Sequence, residues 1–159
     1  MSFKGINLSE KMICSLNRQK YFSPSSIQLN AIPKALKSEN LMVQSATGSG
    51  KTLCFLIPII ENIDLKSQFV QAIIVAPTRE LAQQIYDFAI PFVDEFKGLK
   101  IRLFKSGEER NQTTKGLSIA PHIIIGTPGR LADILENNLS LAYVNTIVLD
   151  EADMLLREG

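Results

Sequence analysis

Ser45-Ala46-Thr47-Gly48-Ser49-Gly50-Lys51-Thr52 lies between the apolar run Leu41-Met42-Val43 and the helical pattern Leu53-Cys54-Phe55-Leu56-Ile57. A buried strand, a glycine-rich turn and a helix opening on Gly-Lys-Thr make a cradle for phosphate. Gly48 and Gly50 let successive backbone N–H groups turn towards one anion, and the helix N-terminus adds partial positive charge. Lys51 can then reach the β- and γ-phosphates of a nucleotide, and the Thr52 hydroxyl can ligate Mg2+. The strict pattern G-x-x-x-x-G-K-[ST] wants glycine at position 45, where this chain has Ser45. The blander alternative is a Gly/Ser loop that only links a strand to a helix.

Working outward, the composition suits one globular core. The chain has 159 residues, 45% of them hydrophobic and 21% charged, with a net charge of +1. That argues against disorder and against an indiscriminately basic nucleic-acid binder. A local patch with backbone contacts is still enough to hold nucleic acid. Cys14 and Cys54 lack metal-ligand spacing and fall in apolar helical patterns, so both read as core thiols in a reducing compartment. No signal-peptide pattern and no membrane-length apolar run occurs, and a cytoplasmic location is expected.

Helices are expected over Glu10–Arg18 with Ser9 as cap, over 26–37, from the glycine turn to about Ile63, over 78–96, over 108–117 and over 128–137. Pro33, Pro58 and Pro91 fall inside three of them and predict bends. Strands are expected at Leu41–Gln44, Ala72–Ala76, Ile101–Phe104, His122–Gly126 and Thr146–Leu149. Strands alternating with helices predict an α/β fold with a mostly parallel sheet, and ligands at the carboxyl ends of its strands. The chemistry-bearing segments all follow strands.

One of them is Asp150-Glu151, which ends the strand at Thr146–Leu149. A Mg2+-holding carboxylate belongs there in a P-loop NTPase. Mg2+ prefers oxygen ligands and keeps several waters, so Asp150 is expected to hold it through water while Thr52 contacts it from the loop. Glu151 is then placed to act on the attacking water. The alternative is a solvated acidic turn.

Asp150-Glu151-Ala152-Asp153 resembles the naming motif of the DEAD-box RNA helicases, and the motifs of that family's first RecA-like domain occur in order. Tyr21 to Gln28 is similar to the Q motif, with Phe3 as the isolated upstream aromatic. Thr47 to Thr52 is similar to motif I, Pro77-Thr78-Arg79-Glu80-Leu81 to motif Ia, and Thr127-Pro128-Gly129-Arg130 to motif Ib. The resemblance spans essentially the whole chain. It implies a RecA-like P-loop domain that takes ATP and Mg2+, with Lys51, Asp150 and Glu151 in catalysis.

Further roles follow from the resemblance. Gln28 would grip adenine through its amide, selecting ATP over GTP, and Tyr21, where phenylalanine is usual, would pack on the base. Without the resemblance Gln28 reads as a surface helical residue. Lys20 stands where glycine is usual, and Ser25-Ser26 where Thr-Pro is usual. Pro77, Thr78, Arg79, Gly107, Thr127, Gly129 and Arg130 would lie along an RNA backbone, giving binding largely independent of sequence. Pro77-Thr78 and Thr127-Pro128 also read as plain helix starts. The family's Gly-Gly pair is Ser106-Gly107 here. Lys97, Lys100, Arg102 and Lys105 read first as a solvated face and second as an RNA-facing patch. His122 reads as structural.

Residues 1–38 are expected to form a Q-motif region packed on a domain covering 39–159. The resemblance also implies a C-terminally incomplete first domain with an exposed sheet edge, a second RecA-like domain supplying arginine fingers, and a monomer. Three functions fit: a helicase-family ATPase needing that second half, a non-enzymatic truncated nucleotide- or RNA-binding fragment, and a DNA-directed relative. Gln28 and the Asp-Glu-Ala-Asp spelling weigh against the last.

Overall fold

The computed structural model describes residues 2–105, 120–137 and 140–157. The apolar runs form four short strands, β1 (Ala72–Val75), β2 (Ile101–Phe104), β3 (Ile123–Gly126) and β4 (Thr146–Leu149). They make one parallel sheet in the order β2-β3-β1-β4. Helices α1 (Glu10–Arg18), α2 (Ser26–Ala35), α3 (Lys51–Asn62), α4 (Arg79–Glu95), α5 (Pro128–Asn137) and the one-turn α6 (Ala152–Leu155) complete the described elements, after a 3-10 turn at Phe3–Gly5. Helices α2, α3 and α4 continue through Pro33, Pro58 and Pro91. The expected helix 108–117 lies outside the described residues, as do Ser106 and Gly107. No described helix is long and apolar enough to cross a membrane.

Two compact units divide the chain, Met1–Ile63 with Pro91–Lys97, and Asp64–Ile90 with Gly98–Gly159. The second contains the sheet. Ile73 and its ladder partner Ile124 join Val70, Phe104, Leu131 and Ile134 in one core cluster. Ile74 and its partner Ile125 are also fully buried, and alternation along a strand sends them to the opposite face. Burial on both faces is why β1 and β3 read as unbroken apolar runs. Each such isoleucine contributes roughly 1.5–3 kcal/mol. Gly126 ends β3 beneath α5, where a Cβ would stand 3.1 Å from Leu131 Cγ and 3.2 Å from the Phe104 carbonyl oxygen. Among the described residues β4 is an edge strand, and Ile147 and Leu149, which share one face of it, are exposed.

Two buried polar residues tie the amino ends of these strands together. Gln71 Oε1 accepts from the Asp64 N–H and its Nε2 donates to the Asp64 carbonyl, both at 2.9 Å. His122 Nδ1 accepts from the Lys100 N–H at 3.0 Å, so the ring's proton sits on Nε2, which donates to the Ser67 carbonyl at 3.0 Å. His122 is structural, as expected.

In the first unit Ser9 caps α1, its Oγ accepting from the Met12 N–H at 3.1 Å and donating to Glu61 Oε1 at 2.7 Å. This joins the start of α1 to the end of α3. Met12, Ser15 and Leu16 form the buried stripe of α1. Cys14 falls between those positions and is exposed, so the core-thiol reading holds for Cys54 alone. Helix α2 packs on α3. Near the end of α4, Phe92 and Phe96 are buried, and Lys11 Nζ lies 4.8 Å from the Phe96 ring centroid.

The strand expected at Leu41–Gln44 does not form. Residues 41–46 have no regular structure, and Met42 is 99% exposed. A strand is a paired object whose N–H and C=O groups need a neighbouring backbone. Among the described residues no ladder is made with this segment.

Candidate nucleotide site and strand-end loops

The glycine turn is built from two left-handed residues, Gly48 at φ +78° and Gly50 at φ +88°. Gly50 is the N-cap of α3, so the chain passes directly from the turn into a helix whose first residues are Lys51 and Thr52. The first N–H groups of a helix have no i−4 partner, and here the third, that of Leu53, donates to the Gly50 carbonyl at 3.2 Å. Gly50 is required twice over: φ is positive, and a Cβ would come within 2.4 Å of Gln28 Nε2.

Gln28 is buried, not a surface helical residue. Its Oε1 accepts from the Ser25 N–H at 2.9 Å, closing a capping box at the start of α2. Its Nε2 donates to the Gly50 carbonyl at 3.0 Å, while Ser25 Oγ donates to the Ser49 carbonyl at 2.9 Å. The cap of α2 is thus bonded to the backbone of the glycine turn. An amide has two donors and two lone pairs, so these bonds use one of each on Gln28. Ser-x-x-Gln at 25–28 is a readable capping-box pattern that the sequence reading passed over.

Lys51 folds back over its own loop. Its Nζ donates to the carbonyls of Ser45 at 2.7 Å and Ala46 at 3.2 Å. The hydroxyls of Ser45 and Ser49 are 2.6 Å apart, joined across the turn. Ala46, Thr47 and Gly48 are exposed and Thr52 is half-buried. Cys54, one turn into α3, is buried with its Sγ 3.8 Å from the Gly50 carbonyl. Burial pushes its thiol up to about 11, against smaller opposing effects of that hydrogen bond and of Lys51. Tyr21 is half-buried, with its ring centroid 6.3 Å from that of Phe92.

In the second unit, three loops leave the carboxyl ends of adjacent strands. After β1 comes buried Pro77, then Thr78, whose Oγ1 accepts from the Leu81 N–H at 3.2 Å, then exposed Arg79 opening α4. After β3 the Thr127 carbonyl accepts from the Leu131 N–H at 2.9 Å, and Pro128 begins α5, followed by exposed Gly129. Arg130 is buried, with Nη1 4.0 Å from Asp133 Oδ2. After β4 the Asp150 N–H donates to the Val75 carbonyl at 2.9 Å, fixing the acidic turn against β1. Asp150 Oδ1 accepts from the Glu151 N–H at 3.1 Å, and Glu151 is left-handed at φ +49°. The structure therefore sets motifs Ia and Ib and the acidic motif side by side on one sheet edge. Gly107 lies outside the described residues.

A parallel α/β sheet with loops gathered at its carboxyl edge, together with a Gly-x-Gly-Lys-Thr turn opening a helix, defines a P-loop protein of the RecA-like kind. Residues 25–159 match the DEAD/DEAH box helicase family model, and the chain belongs to that family. It is 39% identical to the DEAD-box ATP-dependent RNA helicase CshB of Bacillus subtilis over 99% of its own length and 36% of that protein's. It is 36% identical to CshA of Geobacillus kaustophilus, over 99% of this chain and 34% of that one. Its fold superposes on a DEAD box protein from Methanococcus jannaschii with a TM-score of 0.91 at 37% identity, covering 100% of this chain and 44% of that one. For S. cerevisiae Dbp5 bound to RNA and ADP BeF3 the TM-score is 0.87 at 30% identity, covering 98% and 39%. The chain thus spans about a third of the length of these curated relatives.

Proposed function

We propose that this chain is the first RecA-like domain of an ATP-dependent RNA helicase, binding ATP with Mg2+ and coupling it to RNA. The observation that carries the reading is the hydrogen bond from Gln28 Nε2 to the Gly50 carbonyl, at the turn that opens α3 on Lys51. It joins a side chain able to read a base to a turn able to hold phosphates. In this reading Tyr21 and Gln28, within the segment 1–38, take the adenine, and residues 45–52 take the phosphates. The resemblance assigns Mg2+ to Thr52 and Asp150, and each has by itself the hard oxygen donor that this ion takes, a hydroxyl in one and a half-buried carboxylate in the other. The ion would neutralise charge on the phosphates. Glu151 orients water at the γ-phosphate. Pro77, Thr78, Arg79, Gly107, Thr127, Gly129 and the buried Arg130 serve the RNA backbone from the loops after β1, β2 and β3. The relative bound to RNA and ADP BeF3 supports both ligand classes.

A fluorescent ATP analogue with Mg2+ tests the reading directly. Saturable binding is expected, and Lys51→Ala should weaken it at least about tenfold, since a lysine–phosphate contact is a charge-assisted bond. Binding that is insensitive to Lys51→Ala would exclude the phosphate site.

A further inference from the structure

The glycine turn is bonded to itself. Lys51 Nζ is held by the Ser45 and Ala46 carbonyls, and the Ser45 and Ser49 hydroxyls close the turn at 2.6 Å. Ser49 is fixed from outside as well, its carbonyl accepting from Ser25 Oγ at 2.9 Å. Ser45 is therefore tied to an anchored residue four positions on, and its own carbonyl holds the ammonium. For Lys51 to meet a phosphate it must leave both carbonyls. The Ser45–Ser49 bond resists the loop movement that would release it.

We infer that Ser45 is a positioning residue acting as a latch: its hydroxyl stabilises the self-bonded loop and so limits nucleotide binding. The inference rests on the nucleotide-site reading above. A protein whose binding-competent form is a minority binds with its intrinsic affinity reduced by that fraction. The hydroxyl pair is one hydrogen bond, and its removal by Ser45→Ala leaves the backbone untouched. The expected gain in affinity is about two- to tenfold, the range set by the net worth of one such bond. Because the gain comes from the free protein, it should appear mainly as faster association.

The test compares wild type, Ser45→Ala, Ser49→Ala and the double variant, with two readouts. Stopped-flow binding of the fluorescent ATP analogue with Mg2+ should show each single variant associating about two- to tenfold faster, with the double variant no faster than either. Hydrogen exchange of the loop, measured without nucleotide, should be accelerated by the same factor in all three. Weaker binding by Ser45→Ala would make the hydroxyl a phosphate ligand and overturn the latch. So would unchanged loop exchange. If one single variant fails to fold, the other decides by the same criteria. A wild-type chain that binds no nucleotide would sink the proposed function, and loop exchange would still decide whether Ser45 latches the loop.

Discussion

Lys20 carries a conformation that its side chain disfavours. It follows α1 at φ +65°, with its N–H donating to the Asn17 carbonyl at 3.0 Å and the Tyr21 N–H donating to the Leu16 carbonyl at 2.8 Å. That pair of hydrogen bonds is the Schellman ending, whose left-handed position is usually glycine. Lysine stands where the resemblance has glycine as usual, and the backbone keeps glycine's geometry. Relief of the left-handed cost, less glycine's extra entropy in the unfolded chain, predicts that Lys20→Gly stabilises the protein by about 0.5–1 kcal/mol. Urea unfolding should show a higher midpoint at unchanged slope. A lower midpoint would mean that the lysine side chain contributes more than its backbone loses.

Cys54 gives a prediction in pH. Its folded pKa is raised from the ordinary 9.0 to about 11, first by burial. A raised pKa means that the folded state keeps a proton which the unfolded state gives up. The contribution to stability is therefore complete below pH 9.0 and is lost as pH rises towards about 11. Cys54→Ala should remove this alkaline decline while leaving the slope of stability against pH near 7 unchanged. Chemical denaturation at several pH values measures it. An identical decline in the variant would assign it to other groups.

At the scale of elements, what the sequence shows depends on whether an element's causes are local. Ser9 as the cap of α1, the bounds Glu10–Arg18, and the strands β2 and β4 are all legible, because capping and periodicity lie within the segment. Leu41–Gln44 has equally strand-like residues and forms none, because its pairing partner is not specified locally. Cys14 shows the same limit in a helix, where a shift of one or two positions moves a side chain from buried stripe to solvent. Gln28 is the converse, since its spacing to Ser25 was readable but its bond to Gly50 spans 22 residues. The close approach of α5 to β3 was equally invisible in sequence. It depends on Gly126, where an added Cβ would press on both Leu131 and the Phe104 carbonyl. Gly126→Ala should cost about 1–3 kcal/mol, as overpacking does. Thermal melting of the variant checks this, and an unchanged midpoint would mean that α5 moves away freely.

For the whole molecule, binding and turnover separate. The glycine turn and the strand-end loops lie within these 159 residues, whereas the resemblance places the arginine fingers in a second RecA-like domain. Arginines at the transferred phosphoryl group are worth about 10^3–10^5 in rate, because they stabilise charge that develops only in the transition state. Ground-state binding does not need them. The 159-residue chain is therefore expected to bind the ATP analogue yet turn over ATP at least about a thousandfold more slowly than a full-length relative. Single-stranded RNA should stimulate the relative and leave this chain's rate nearly unchanged. Phosphate release measured for both proteins, with and without RNA, decides the matter. RNA-stimulated turnover by this chain at the relative's rate would show that the three loops beside β1, with the glycine turn, suffice for catalysis. It would also remove the need for arginines from elsewhere. Binding without turnover would place the chemistry of these 159 residues in holding and orienting ATP.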